Sequence, residues 1–137
     1  MPTNSITFGK LYNWDAGADT RCICPFGWHA STDAEWQILA DYLGGINVAG
    51  GKLKDSGTTY WNSPNTGGTN ISGFTALPAG ARASYGDVHV GANGSWWTAP
   101  IPNTYTYWVR TINYAEIGLN RFSDISSSGF SVRCVKD

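Results

Sequence analysis

The chain of 137 residues contains few charged side chains and no long apolar run. Charged residues make up 14% of it and the formal net charge is −1, whereas an average domain is ~25% charged. A balance this close to neutral argues against a nucleic-acid partner and against an anionic membrane surface, since both require a basic face. No run of about 18 apolar residues occurs, so we expect no direct membrane insertion.

Residues 1–4 also lack the charged and apolar regions of a secretory signal peptide. We therefore expect that the chain stays inside the cell, leaves it by another route, or is one module of a longer protein.

Cysteine is scarce as well. Cys22, Cys24 and Cys134 are too few for a zinc site, to which only His29 and His89 could add ligands. Two alternatives remain for these thiols. A Cys24–Cys134 bridge would close a long loop, worth ~4–5 kcal/mol in the chain-entropy model, or all three cysteines are buried and reduced. At least one cysteine is unpaired in either case.

Aromatic residues, in contrast, are abundant. Seven Trp, seven Tyr and five Phe make up 14% of the chain, which excludes intrinsic disorder. The length favours one domain over residues 1–137, with a core that needs no metal.

One segment carries clear helix signals. Thr32 and Glu35 have the spacing of a capping box, and glycines at 44–45 supply a stop. Between them, apolar residues recur at i, i+3 and i+7, as a core-facing stripe requires: Trp36, Leu39 and Leu43.

The remaining elements are less regular. We predict a short second helix at 47–54, a strand at 6–14, and ordered loops through 55–95. Strand chemistry returns late in the chain, at residues 95–98, 105–114, 117–122 and 129–135. This order indicates an α+β fold with one or two helices, long ordered loops and a late antiparallel sheet.

Short motifs rich in Gly, Trp and Pro run in order along nearly the whole chain. They lie at residues 9–14, 24–29, 32–36, 43–54, 61–67, 73–78, 96–97 and 129–135. The series resembles the Fibrobacter succinogenes major paralogous domain, a family of bacterial surface modules.

This resemblance implies a C-type-lectin-like fold of the formylglycine-generating-enzyme type. Members of that fold group include the variable proteins of diversity-generating retroelements, in which adenine-directed mutagenesis rewrites codons near the 3′ end of the gene. The implied function is a non-catalytic ligand-binding module that displays a diversified face on a bacterial, archaeal or viral surface. Its partner would be an unknown protein or glycan, and no cofactor is expected.

The variable region that the resemblance implies is 101–125. Trp108, Arg110, Ile112 and Arg121 look like a fixed frame, and the residues between them are chemically miscellaneous. Strand alternation places Trp108, Arg110, Ile112 and Tyr114 on a core-facing side and the intervening residues on the other. The predicted ligand-binding residues are Ile101, Pro102, Tyr105, Tyr107, Val109, Thr111, Asn113, Ala115, Glu116, Gly118, Asn120, Phe122, Ser123, Asp124 and Ile125.

Alternatives accompany this prediction. The second side of the strand could be an ordinary solvated sheet face, and Phe122 could fill the core. Catalysis is not expected, because Cys24 with His29 lies in a packed-looking loop and Cys134 alone does not match the formylglycine-generating site. We predict no metal site. The rival functions are a structural or cell-surface module without a dedicated ligand and, more remotely, a degenerate formylglycine-generating-type enzyme.

Overall fold

A computed structural model of the chain describes residues 2–15, 23–99 and 107–137. Its helices are α1 (Pro2–Phe8), α2 (Asp33–Tyr42) and α3 (Ile46–Leu53). Its strands are β1 (Trp28–Ala30), β2 (Ala81–Ala83), β3 (Gly86–Val88), β4 (Asn93–Trp97), β5 (Trp108–Asn113), β6 (Asn120–Ser123) and β7 (Cys134–Lys136). Helices together with antiparallel sheets make the fold α+β.

Helix α2 begins at the predicted capping box. The Thr32 hydroxyl accepts a hydrogen bond from the Glu35 N–H (3.1 Å), and the Glu35 carboxylate accepts one from the Thr32 N–H (3.0 Å). Trp36 and Leu43 are buried, and Leu39 packs beside them. The predicted start and core-facing stripe are therefore confirmed.

Helix α3 confirms the predicted second helix and shows why it contains two glycines. A Cβ atom on Gly50 would overlap the Gly118 carbonyl, and one on Gly51 would overlap the Gly67 carbonyl. The helix therefore packs directly against the backbone of two loops, which larger residues would push away.

The predicted strand at 6–14 is wrong. Its first part belongs to helix α1, and Gly9, with φ of 78°, follows the end of that helix. Of the rest, Tyr12 forms an isolated antiparallel bridge with Phe130, through a 2.8 Å bond from the Tyr12 N–H to the Phe130 carbonyl. A single bridge is too short a pairing to make a strand.

The strands form three small antiparallel sheets. β4, β5 and β6 form the late sheet in the order β4-β5-β6, and β1 pairs with β7. The third sheet, β2 with β3, lies inside the 55–95 stretch, which is thus not entirely loop as predicted. In the predicted 129–135 strand, only the final part is regular.

Two clusters of buried side chains hold these elements together. The larger cluster includes Trp36, Leu53, Trp61 and Ile112, and it lies between helices α2 and α3 and strand β5. The smaller is built on Trp97, Val109 and Phe130. Trp61 also anchors the irregular part of the chain, because its indole N–H donates to the Ala76 carbonyl at 2.9 Å.

Cys24 and Cys134 form a disulfide. The alternative of three reduced thiols is therefore wrong. The bridge joins the segment before β1 to the first residue of β7, whose pairing with β1 already places Cys134 opposite Ala30. Cys22 lies outside the described residues.

Candidate functional site

The predicted binding residues lie on and around β5 and β6. β5 is the central strand of its sheet, with Val109 opposite Trp97 on β4 and opposite Phe122 on β6. β6 is an edge strand of that sheet. The position of each predicted residue therefore depends on which side of β5 it occupies and how far it lies from the edge.

One side of β5 faces helix α2 and carries the predicted frame. Ile112 is completely buried, and Arg110 is only 3% exposed. The Arg110 Nε donates to one oxygen of Asp33 at 2.8 Å, and Arg121 Nη1 donates to the other oxygen at 2.8 Å. The guanidinium of Arg121 also lies 4.2 Å from the centre of the Trp108 ring. The core-facing assignment of this side is confirmed.

The charges of the two arginines favour the ionised form of the Asp33 carboxyl. Burial alone would raise the pKa of the Asp33 carboxyl, but the hydrogen bonds and charges of Arg110 and Arg121 outweigh it and hold that pKa below its usual value. A single carboxylate thus ties the start of α2 to two neighbouring strands, which fixes the sheet against the helix.

The other side of β5 is not the open face that was predicted. Val109 is fully buried and packs in the smaller core cluster with Trp97 and Phe130. Its assignment to a binding face is wrong, because Phe130, which follows β6 in the chain, covers that side of the sheet. Thr111 lies half-buried, and its hydroxyl is 2.9 Å from that of Ser95.

Two predicted aromatic contact residues also belong partly to the core. The Tyr107 ring packs edge-on against Trp14 with 4.5 Å between centroids, and Phe122 packs on Phe130 at 5.8 Å. Both are half-buried. The prediction that Phe122 is an exposed apolar contact is therefore wrong, and the alternative that it fills the core is the better description.

The turn after β5 is held by internal bonds. The Asn113 side chain bonds to Asn93 at 2.7 Å and accepts the N–H of Ala115 at 2.8 Å. Gly118 lies half-buried against helix α3.

A buried lysine also holds this turn in place, and its role was not predicted from the sequence. Lys54 Nζ donates to the carbonyl oxygens of Thr66 (2.7 Å), Asn113 (3.0 Å) and Glu116 (2.9 Å). Burial lowers the pKa of Lys54 to about 8, although the Glu116 carboxylate acts in the opposite direction. No local pattern predicts this role, because two of the three carbonyls come from distant parts of the chain.

The predicted residues that remain exposed lie on and after β6, an edge strand of the sheet among the described strands, and in the turn before it. We call this set the β6 edge surface, and it consists of Ala115, Glu116, Asn120, Ser123 and Ile125. Asp124 is half-buried within it, and its carboxylate accepts the Ile125 N–H at 2.7 Å and the Ser128 hydroxyl at 3.2 Å. Ile117, 41% exposed, adjoins the surface and was missed.

Ile101, Pro102 and Tyr105 lie outside the described residues. Among the described residues, no three His, Cys, Asp or Glu side chains gather closely enough to hold a metal ion, and no helix is long and apolar enough to cross a bilayer.

These observations define an α+β domain with a rigid, ion-paired sheet and a polar, exposed sheet edge. The chain belongs to the Fibrobacter succinogenes major domain family, whose model matches residues 1–136. Neither the curated proteins nor the solved structures contain a match to the chain.

Proposed function

We propose that this chain is a non-catalytic ligand-binding module with a C-type-lectin-like fold, the variable protein of a diversity-generating retroelement. It would be displayed on a cell or virion surface and recognise a protein or glycan through the β6 edge surface. The family membership supports a surface module, and the retroelement role rests on the resemblance of the 101–125 region.

The observation that carries the proposal is the separation between frame and surface residues in one short stretch of chain. Arg110 and Ile112 are buried, and Arg121 is bound to Asp33. The side chains of Ala115 and Ser123, a few residues away, are exposed. Substitution at such exposed sites typically changes stability by no more than ~0.5 kcal/mol, so their identity is free to vary while the fold persists.

The surface chemistry is suited to recognition. Ile125 is 66% exposed and is flanked in sequence by Asp124 and Ser126, so an apolar contact lies within polar surroundings. Interfaces commonly place an apolar centre inside a polar rim. Glu116 and Asn120 add a carboxylate and an amide, joined at 3.0 Å, at the other end of β6.

Deep sequencing of this gene in a natural population tests the proposal. We expect substitutions to concentrate at codons of the β6 edge surface and to trace to adenines in a nearby copy of the last ~40 codons, beside a reverse-transcriptase gene. Codons of the frame residues Trp108, Arg110 and Ile112 should stay unchanged, because their side chains fix the sheet.

Equally exposed residues elsewhere provide the control. Ile71 and Tyr85 are 76% and 82% exposed and lie outside 101–125, so ordinary drift would alter their codons as often as those of the edge surface. An even spread over all exposed codons would contradict diversification and would favour the alternative of a structural surface module.

A further inference from the structure

The outer side of helix α2 borders an open groove of about 500 Å³, which is within the range of ligand sites, ~300–1,000 Å³. Its walls are mostly apolar and come from α2, from Phe74 and from β7 with the residue before it. The apolar residues that line it are Trp36, Ile38, Leu39, Tyr42, Phe74 and Val135. Ile38 is 68% exposed and Tyr42 is 86% exposed, so the groove is open to solvent.

One cation at this groove makes no ion pair with any residue that the structure describes. Arg133 lines the groove, with its guanidinium 4.1 Å from the centre of the Phe74 ring. Arg82, Arg110 and Arg121 each bind a carboxylate. Of the arginines in the described parts of the chain, Arg133 is the one without an ion pair. A guanidinium stacked on a ring keeps its edge donors free for a planar acceptor.

The carboxylate and the serine hydroxyl that line the groove are already engaged. The Glu35 carboxylate accepts the Thr32 N–H at 3.0 Å and lies 2.9 Å from His29 Nε2. The Ser31 hydroxyl accepts the indole N–H of Trp36 at 2.8 Å. Among the groove residues, Arg133 is therefore the charged group without an ion pair, and a guanidinium in that state attracts an anion.

We propose that this groove binds a ligand that joins an apolar, ring-sized body to a carboxylate. The carboxylate would pair with Arg133, and the body would lie between Tyr42, Ile38 and Phe74. Such a group occurs in small aromatic acids and at the carboxyl terminus of a peptide that ends in an aromatic residue. The site is separate from the β6 edge surface, since no residue of that surface lines the groove.

Titration of the isotope-labelled chain with 3-phenylpropionate, followed by amide NMR shifts, tests the site. We expect shifts at groove residues and binding at least about tenfold weaker for 3-phenylpropionamide, because the amide lacks the charge that pairs with Arg133. Arg133→Gln should weaken binding of the acid by a similar factor and abolish the preference for acid over amide.

Two exposed tyrosines, one in the groove and one outside it, test the contribution of the apolar wall. Tyr42→Ala should weaken binding several-fold, whereas Tyr85→Ala, at the turn between β2 and β3, should leave it unchanged. Both side chains are exposed, so both variants should fold, and unshifted amide spectra away from the substitution would verify this.

A hexapeptide Gly-Ser-Gly-Ser-Gly-Phe, with a free or an amidated carboxyl terminus, distinguishes the two sources. Tighter binding of the free peptide than of phenylpropionate identifies a peptide terminus, and the reverse identifies a small acid. The proposal is overturned if neither probe shifts groove residues at millimolar concentration, or if acid and amide bind equally well.

Discussion

Two buried cations in this protein are satisfied in different ways. Arg110 is paired with the Asp33 carboxylate, so its charge is balanced. Lys54 instead donates hydrogen bonds to three main-chain carbonyl oxygens, which do not cancel its charge. Burial therefore lowers the pKa of Lys54 to about 8. At neutral pH the ammonium keeps three N–H donors for three acceptors and joins two loops to the end of α3.

Lys54→Met should destabilise the fold by about 3 kcal/mol, because it leaves three carbonyl oxygens without the partner that a fully buried side chain supplied. The free energy of unfolding in urea at pH 7 measures the loss. We also expect the amides of residues 113–118 to exchange faster with solvent, since Asn113 and Glu116 lose their anchor.

Lys52→Met is the matched control. Lys52 is half-buried and its Nζ donates to a single carbonyl, that of Leu43, at 2.7 Å. Its replacement should cost about 1 kcal/mol. A cost for Lys54→Met no greater than that for Lys52→Met would show that the three carbonyl bonds contribute little.

At the scale of elements, the sequence predicted those that depend on local signals. Helix α2 has its capping box and stripe within about a dozen residues, so neighbouring side chains decide its bounds. The segment at 6–14 has alternating apolar residues, but its pairing with described residues is limited to the single Tyr12–Phe130 bridge. Its first part is therefore helical, with Ile6 85% exposed.

Contacts between elements that are far apart in the sequence could not be predicted from local sequence patterns. Alternation sorted the two sides of β5 correctly, and it indicated that Arg110 is buried. It could not show that Asp33, on α2, is the partner, or that Phe130 covers Val109. Both facts depend on how separate elements pack, which no local period encodes. For this reason the candidate binding site has fewer exposed residues in the structure than the sequence predicted.

A histidine joins three elements near the start of α2. His29, on β1, lies 2.6 Å from the Asp137 carboxylate and 2.9 Å from that of Glu35. Hydrogen bonds to Asp137 and then to Glu35 raise the pKa of His29 above its ordinary value of 6.5. The stabilisation is therefore complete below pH 6.5 and is lost as pH rises through the folded-state pKa.

His29→Gln should remove this pH dependence. The difference in unfolding free energy between the native chain and the variant should be largest near pH 5.5 and should decline above pH 6.5. Urea unfolding at several pH values between 5.5 and 8.5 measures it.

His89→Asn is the control, because it removes the other histidine of the chain and leaves the contacts of His29 in place. Asparagine tolerates the left-handed backbone at this exposed position, where φ is 62°. This variant should retain the native decline with pH. A difference between the native chain and His29→Gln that stays constant with pH would contradict the proposed ionic contacts.

At the scale of the whole molecule, small sheets are joined by close backbone contacts and by the β1–β7 pairing. That pairing brings residues near 30 together with residues near 135. Trp61 and the glycines of α3 hold the irregular loops between them. The abundance of aromatics is thus largely structural: most described Trp rings anchor loops or fill the two clusters, and Tyr107 and Phe122 also pack inward.

The disulfide closes this arrangement across 110 residues. Replacing Cys24 and Cys134 by Ser should lower the free energy of unfolding by about 2–5 kcal/mol, because a cross-link over so long a loop restricts the unfolded chain. All variants should carry Cys22→Ser, so that no alternative bridge can form. The single Cys22→Ser chain is the reference, and treating it with a reductant should bring its stability to that of the triple variant. Free thiols at Cys24 and Cys134 in the oxidised reference, detected by maleimide labelling and mass spectrometry, would contradict the bridge, and unchanged stability on reduction would contradict its contribution.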